Sequence, residues 1–315
     1  MGNNNRSQRR GLAIGCGGSV GAAWIVAALA AARDVLAWDP READVLIGTS
    51  AGAEAVTMLG SGVSVDDLVA MQRGTATDPI LREHRAAEPG RFPPLPRPRL
   101  GSPRLPLRRQ EPGQALLAAG SGLLPVGRGD AGWLGRLAER LNPGRSWVPH
   151  PATRLVAMDY ATGERVAFGS PGAPAATIGE ALRASWAIPG WFPPVPIAGR
   201  RFVDGGAGST ASVDLLAAEN LDEVLVLAPM ASAARIPATG PGHLLERQLR
   251  NRMSDKLRAE IDRLRAAGTK VLFLGATAED LAVMGSNFMD GRRSSATFEH
   301  SLRSTRRALE QGAFV

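Results

Sequence analysis

The segment 45–58 constrains the fold more than any other part of the chain. Val45-Leu46-Ile47 is an apolar run of strand type, Gly48-Thr49-Ser50-Ala51-Gly52 follows it, and Ala53-Glu54-Ala55-Val56-Thr57-Met58 reads as helix. A strand passing into a helix through Gly-x-Ser-x-Gly needs a sharp turn. Glycines at 48 and 52 permit that turn, and it pushes the Ser50 hydroxyl out at the carboxyl edge of a sheet. The start of the helix also sets partial positive charge near that hydroxyl. Alone, the pentapeptide leaves two readings open: a serine nucleophile, or a glycine-rich strand-to-helix turn capped by a serine.

The residues before it repeat the pattern. Leu12-Ala13-Ile14 reads as a short buried strand and runs into the glycine loop Gly15-Cys16-Gly17-Gly18-Ser19-Val20-Gly21. Ala22 to Trp38 is alanine-rich and apolar on nearly every face until Arg33-Asp34, as a core helix is. Two successive β-α units imply an α/β protein with a parallel sheet. A glycine loop opening a helix offers unpaired N–H groups to an anion, and two anions are candidates. A dinucleotide pyrophosphate fits poorly, because Gly-x-Gly-x-x-Gly counted from Gly15 meets Val20 at its third glycine. The oxyanion of an acyl intermediate on Ser50 is preferred, since in a parallel sheet both loops emerge at one edge.

With 315 residues and 44% hydrophobic content, the chain can bury the core of one α/β domain with an insertion. A single cysteine, Cys16, excludes an internal disulfide framework and a cysteine-based zinc site, and no metal or cofactor is expected. Gly11 to Ala32 carries no charge and follows a basic start, which superficially resembles a signal peptide or a membrane span. Glycines interrupt it, and its first apolar piece is far shorter than the roughly 7–15 residues of a secretory core. Arg6 stands where the myristoylation pattern needs Ser or Thr. The protein is expected to be cytoplasmic.

From Pro79 to about Pro112 the chain is crowded with proline and arginine and shows no helical or strand period. Eight arginines face two glutamates between Arg82 and Arg109, so most of the formal charge of +7 sits there. This segment is either a basic lid making peripheral contact with an anionic membrane or a solvated insertion. Nucleic acid is not expected, because interleaved aromatics and a recognition helix are missing. Helices at 114–124 and 132–141 close an insertion spanning about 79–150. Core structure then returns: a hairpin of Arg154 to Asp159 with Arg165 to Phe168, a helix over 177–186, and a strand ending at Asp204-Gly205-Gly206. Buried strands follow at 223–228 and 270–274, separated by a long helix over 242–267. A final helix over about 294–311 is expected to pack at the rim.

A serine nucleophile ordinarily takes a histidine base, but His84, His150, His243 and His300 all lie away from strand ends. Only one strand precedes that of Ser50, so the α/β-hydrolase order is a poor fit. The strand-end Asp204 is the best-placed carboxylate to accept the serine proton. Asp159, before a hairpin turn, reads as a turn anchor. Cys16 reads as a small residue fitting beside the glycines, and Trp186, Trp191 and Phe192 read as core or pocket wall.

Three blocks in order, Cys16-Gly17-Gly18-Ser19-Val20-Gly21, Gly48-Thr49-Ser50-Ala51-Gly52 and Asp204-Gly205-Gly206, resemble the patatin-like phospholipase family. The resemblance extends through Asp159 to Gly163 and Ala184 to Pro194, and covers the start to about 75 and 154 to about 230. It implies a three-layer α/β/α fold with a mostly parallel sheet, a Ser50–Asp204 dyad and a lipid acyl-ester substrate. It also implies an oxyanion hole at Cys16, Gly17 and Gly18, with Gly21, Gly48, Gly52, Gly205 and Gly206 shaping the turns. Cys16 stands where the family hexapeptide usually begins with Gly, and Val20 where it usually carries Arg or Lys. Backbone donors survive both changes. The alternative is a catalytically degenerate member that binds lipid or a membrane surface through its basic insertion.

Overall fold

The computed structural model describes residues 8–87, 89–107, 115–237 and 244–312. Readings that fall on residues 1–7, 88, 108–114, 238–243 and 313–315, His243 among them, lie outside the described residues. Among the described residues, eight strands form one sheet: β1 (Arg10–Ile14), β2 (Val45–Thr49), β3 (Thr153–Asp159), β4 (Arg165–Phe168), β5 (Val195–Ile197), β6 (Arg200–Asp204), β7 (Glu223–Ala228) and β8 (Lys270–Gly275). The helices are α1 (Gly18–Leu36), α2 (Ala51–Gly60), α3 (Val65–Arg73), α4 (Pro79–Ala86), α5 (Ala115–Leu123), α6 (Gly132–Leu141), α7 (Ile178–Ser185), α8 (Leu244–Ala266), α9 (Ala278–Met284) and α10 (Ser294–Glu310).

The central strands β3, β2, β1, β7 and β8 are parallel, while β4, β5 and β6 add antiparallel pairings at one side. The central strands are apolar at almost every position because both sheet faces are covered. Leu12, Ile14, Leu46, Leu225, Leu227 and Leu274 face the cluster that holds α1 and α2. The alternate residues Ala13, Val45, Ile47, Val224, Val226 and Phe273 face Leu257, Ile261 and Leu264 of α8. This period of two yields three layers. Each large side chain so buried contributes about 1.5–3 kcal/mol.

Helix α1 is long and apolar enough to cross a membrane by composition, yet most of it is buried. The reason is that α10, expected at the rim, lies along it, with Phe298 fully buried between them and the core. A second difference concerns the start of the insertion. Pro79 to Ala86, which shows no helical period in the sequence, is the helix α4, with Pro79 in its first turn and the Asp78 carboxylate accepting from the Ile80 N–H at 2.7 Å. Asp-Pro is a helix-start signature that the following proline and arginine run obscures.

The sheet register brings two distant segments together. Val156 of β3 pairs with Thr49 and with Ala167, and the next residue, Ala157, pairs with Asp204 and with Val166. A strand has two edges, and β4 occupies one of them across both positions. Thus β2 and β6 share the other edge, running toward each other, and their carboxyl ends meet at Val156 and Ala157.

Candidate active site

Ser50 begins where β2 ends, and its backbone is held at φ 56°, ψ −119°, a conformation costly for a residue with a side chain. The flanking glycines make that turn possible. A Cβ at Gly48 would lie 2.3 Å from the Gly52 carbonyl oxygen, and one at Gly52 would lie 2.1 Å from the Ile14 carbonyl oxygen. Helix α2 therefore folds back on its own strand and over the end of β1. Ser185, at the end of α7, completes the turn: its hydroxyl accepts from the Ser50 N–H at 2.9 Å and donates to the Val156 carbonyl at 2.6 Å. Two residues on, the Ala187 carbonyl accepts from the Asp204 N–H at 3.0 Å. One short segment at the end of α7 thus fixes the backbones of both Ser50 and Asp204. A lone serine at a helix end has no sequence signature for this role.

The Ser50 hydroxyl stands beside the Asp204 carboxylate, close enough to pull its pKa down, and the carboxylate accepts from the Gly206 N–H at 2.7 Å. Both side chains are buried. Burial pushes the Asp204 carboxyl up from 3.8 to about 7, against the downward pull of the Ser50 hydroxyl and the Gly206 N–H. A Cβ at Gly205 would meet the Val156 carbonyl at 2.7 Å, so the turn after the acid hugs β3. From behind, α8 braces this turn: the Ser209 hydroxyl donates to Glu260 at 2.9 Å and Lys256 donates to the Gly208 carbonyl.

The glycine loop lies at the same edge, and its donors divide. The Cys16 N–H donates to the Thr210 carbonyl at 2.9 Å, so it cannot serve an oxyanion, and the expectation for Cys16 is corrected on that ground. Among the described residues, the N–H groups of Gly17 and Gly18 meet no acceptor. Gly18 holds φ +59°, and a Cβ there would meet Phe288 at 2.6 Å; Gly21 donates to the Gly17 carbonyl and closes the first turn of α1. Val20 is fully buried in the apolar core, a position that leaves no room for a solvated cation. The Cys16 thiol lines the site, but burial and the neighbouring Asp204 push its pKa well above the usual thiol range, so it is no nucleophile at neutral pH.

These groups form the floor of a pocket of about 670 Å³, walled by Leu124, Ile188, Met230, Met253 and Phe288. The floor is polar and the walls apolar, a shape suited to an acyl chain with its ester at the bottom. None of the described histidines lines it. His84 pairs with Glu54 at 2.8 Å, His150 with the Ala43 carbonyl at 2.7 Å, and His300 lies 3.5 Å from Asp280. Asp159 accepts from the Ala161 and Thr162 N–H groups and pairs with Arg200, anchoring the hairpin turn. Trp186 and Phe192 are core residues, and Trp191 is partly buried against them. Among the described residues no group of three His, Cys, Asp or Glu side chains is placed to hold a metal ion.

Residues 12–217 match the sequence model of the patatin-like phospholipase family, and the chain belongs to that family. Membership sets it among the lipid acyl hydrolases in general. No curated protein matches the chain in sequence. Among solved structures it is similar to the crystal structure of VipD from Legionella pneumophila, at 14% identity and a TM-score of 0.44, covering 96% of this chain and 67% of that one.

Proposed function

We propose that the protein hydrolyses lipid acyl esters through a Ser50–Asp204 dyad, with the Gly17 and Gly18 N–H groups as the oxyanion hole. The contact of the Ser50 hydroxyl with the Asp204 carboxylate, at the floor of an apolar pocket, carries this reading. Ser50 Oγ attacks the ester carbonyl carbon while Asp204 takes the hydroxyl proton. The carbonyl oxygen becomes an oxyanion facing the two free amides, which are worth about 3–4 kcal/mol each to the barrier when they are true oxyanion donors. As the intermediate collapses, Asp204 returns the proton to the departing alcohol, leaving the acyl group on Ser50. Water then attacks the acyl-enzyme and gives its proton to the same carboxylate. The fatty acid leaves, and the proton passes back to Ser50.

An ordinary aspartate is too weak a base for a hydroxyl. With its carboxyl pushed up to about 7, Asp204 is matched to neutral pH and still ionised in half or more of the molecules above that point. The test is labelling by a fluorophosphonate together with hydrolysis of a short-chain ester. Wild-type protein is expected to label at Ser50 and turn over, and Ser50→Ala to do neither. Turnover retained in purified Ser50→Ala refutes the assignment. Absence of labelling in the wild type favours a lipid binder that keeps the fold without the chemistry.

A further inference from the structure

Six of the seven large apolar side chains that the described residues leave exposed fall in one stretch of chain, between 92 and 124. Phe92, Leu95 and Leu107 are 65%, 86% and 84% exposed, and Leu100, Leu123, Leu124 and Leu249 are also uncovered. Isolated exposed leucines need no explanation, whereas a cluster rimmed by charge marks a contact surface. Residues 91–100 are exposed without a break. Arg97, Arg99 and Arg104 stand among the apolar side chains.

This segment is tied to the mouth of the pocket at both ends. The Arg97 N–H donates to the Val126 carbonyl at 2.8 Å and the Gly101 N–H to the Leu124 carbonyl at 2.9 Å. At the other side, Asn287 Nδ2 donates to the Arg91 carbonyl at 3.2 Å. Leu124 and Phe288, neighbours of those anchor points, line the pocket above Ser50, and so does Leu249. The stretch that carries the exposed apolar side chains and interleaved arginines is therefore tied beside the pocket wall, where Leu124 and Leu249 are themselves exposed. A protein partner would present a shaped counter-surface. An anionic bilayer offers what this segment matches on both counts, hydrocarbon for the leucines and phosphates for the guanidinium groups.

We propose that residues 91–107, with Leu123, Leu124 and Leu249, form a collar that seats the pocket mouth on an anionic lipid surface. An acyl chain then passes from the bilayer to Ser50 without crossing water. The collar deepens the hydrolase reading and rests on it only for turnover, so binding and turnover are measured apart.

Binding is read by co-sedimentation of the full chain, carrying Ser50→Ala to prevent turnover, with vesicles of phosphatidylcholine alone or with phosphatidylglycerol added. Binding is expected to the anionic vesicles and to weaken with salt. The pair Leu95→Ser and Leu107→Ser, at exposed positions outside the pocket lining, is expected to lower it about tenfold or more. Arg97→Gln with Arg99→Gln and Arg104→Gln is expected to flatten its salt dependence. With Ser50 intact, the leucine pair should hydrolyse a soluble short-chain ester at the wild-type rate and vesicle phospholipid about tenfold or more slowly. Unchanged vesicle binding in the leucine pair, or no vesicle binding by the parent protein, overturns the collar. Binding that follows the collar in a protein that hydrolyses no ester refutes the hydrolase reading and leaves the collar standing.

Discussion

Asp204→Asn separates what the carboxylate does for chemistry from what it costs the fold. Raising a carboxyl from 3.8 to about 7 is about three pKa units, at about 1.4 kcal/mol each. The folded state therefore carries a charge that costs about 4 kcal/mol once Asp204 ionises. The sign follows from proton counts. Between pH 4 and 7 the unfolded chain has lost the Asp204 proton and the native state keeps it, so wild-type stability from this group falls as pH rises, and it levels off above about 7. Asparagine keeps the shape, accepts from the Gly206 N–H as the carboxylate does at 2.7 Å, and carries no charge. Its advantage should be about 2 kcal/mol at pH 5 and about 4 kcal/mol at pH 8. Spread over the unfolding entropy of 315 residues, that is about 3 °C and about 6 °C in melting temperature. Glu260, whose carboxyl is also pushed up to about 7, titrates in both proteins and cancels in the difference. Calorimetry at the two pH values, beside an ester assay, decides the matter. A variant with no turnover and a stability gain that grows with pH is expected. A shift that is the same at both pH values, or a loss at pH 8, would refute the idea that a desolvated base sits at this position.

Three other outcomes are expected. The kcat/KM for a short-chain ester should rise with one ionisation near pH 7 and stay level above it, because only the deprotonated Asp204 can accept the serine proton; a flat profile from pH 5 to 8 contradicts the role. Ser185→Ala leaves the buried Ser50 N–H without its acceptor, and should cost about 1–3 kcal/mol in urea unfolding and lower kcat more than it raises KM; unchanged kcat would make Ser185 a packing residue only. Gly52→Ala drives a Cβ to 2.1 Å from the Ile14 carbonyl oxygen, and should destabilise the fold by about 3 kcal/mol or more and abolish fluorophosphonate labelling; a wild-type unfolding midpoint speaks against the close approach of α2 to β1.

Features carried by local pattern were legible in the sequence. The β-α alternation of residues 12–58, the 154–168 hairpin and the apolar runs of β7 and β8 follow from periodicity and turn chemistry, and all are in the structure. The three family blocks pointed to Ser50, Asp204 and the glycine loop, which the fold brings to one edge. Features that depend on distant partners were not legible. The Cys16 N–H looks like the other loop donors until the Thr210 carbonyl arrives from the segment after Asp204. Ser185 acts through a hydrogen bond to a residue 135 positions away. Met230, Met253 and Phe288 become pocket wall only because the end of β7, α8 and the 287–289 segment come together beside Ser50. Nothing in a methionine within an amphipathic run distinguishes wall from core.

Because β2 and β6 abut on the same edge of β3, the alcohol and the acid are gauged against one ruler, two consecutive residues of a single buried strand. The spacing between them owes nothing to the exposed proline- and arginine-rich run at residues 91–100. That outer territory is free to be lengthened, trimmed or re-lettered for a new lipid surface while the reacting atoms stay in place.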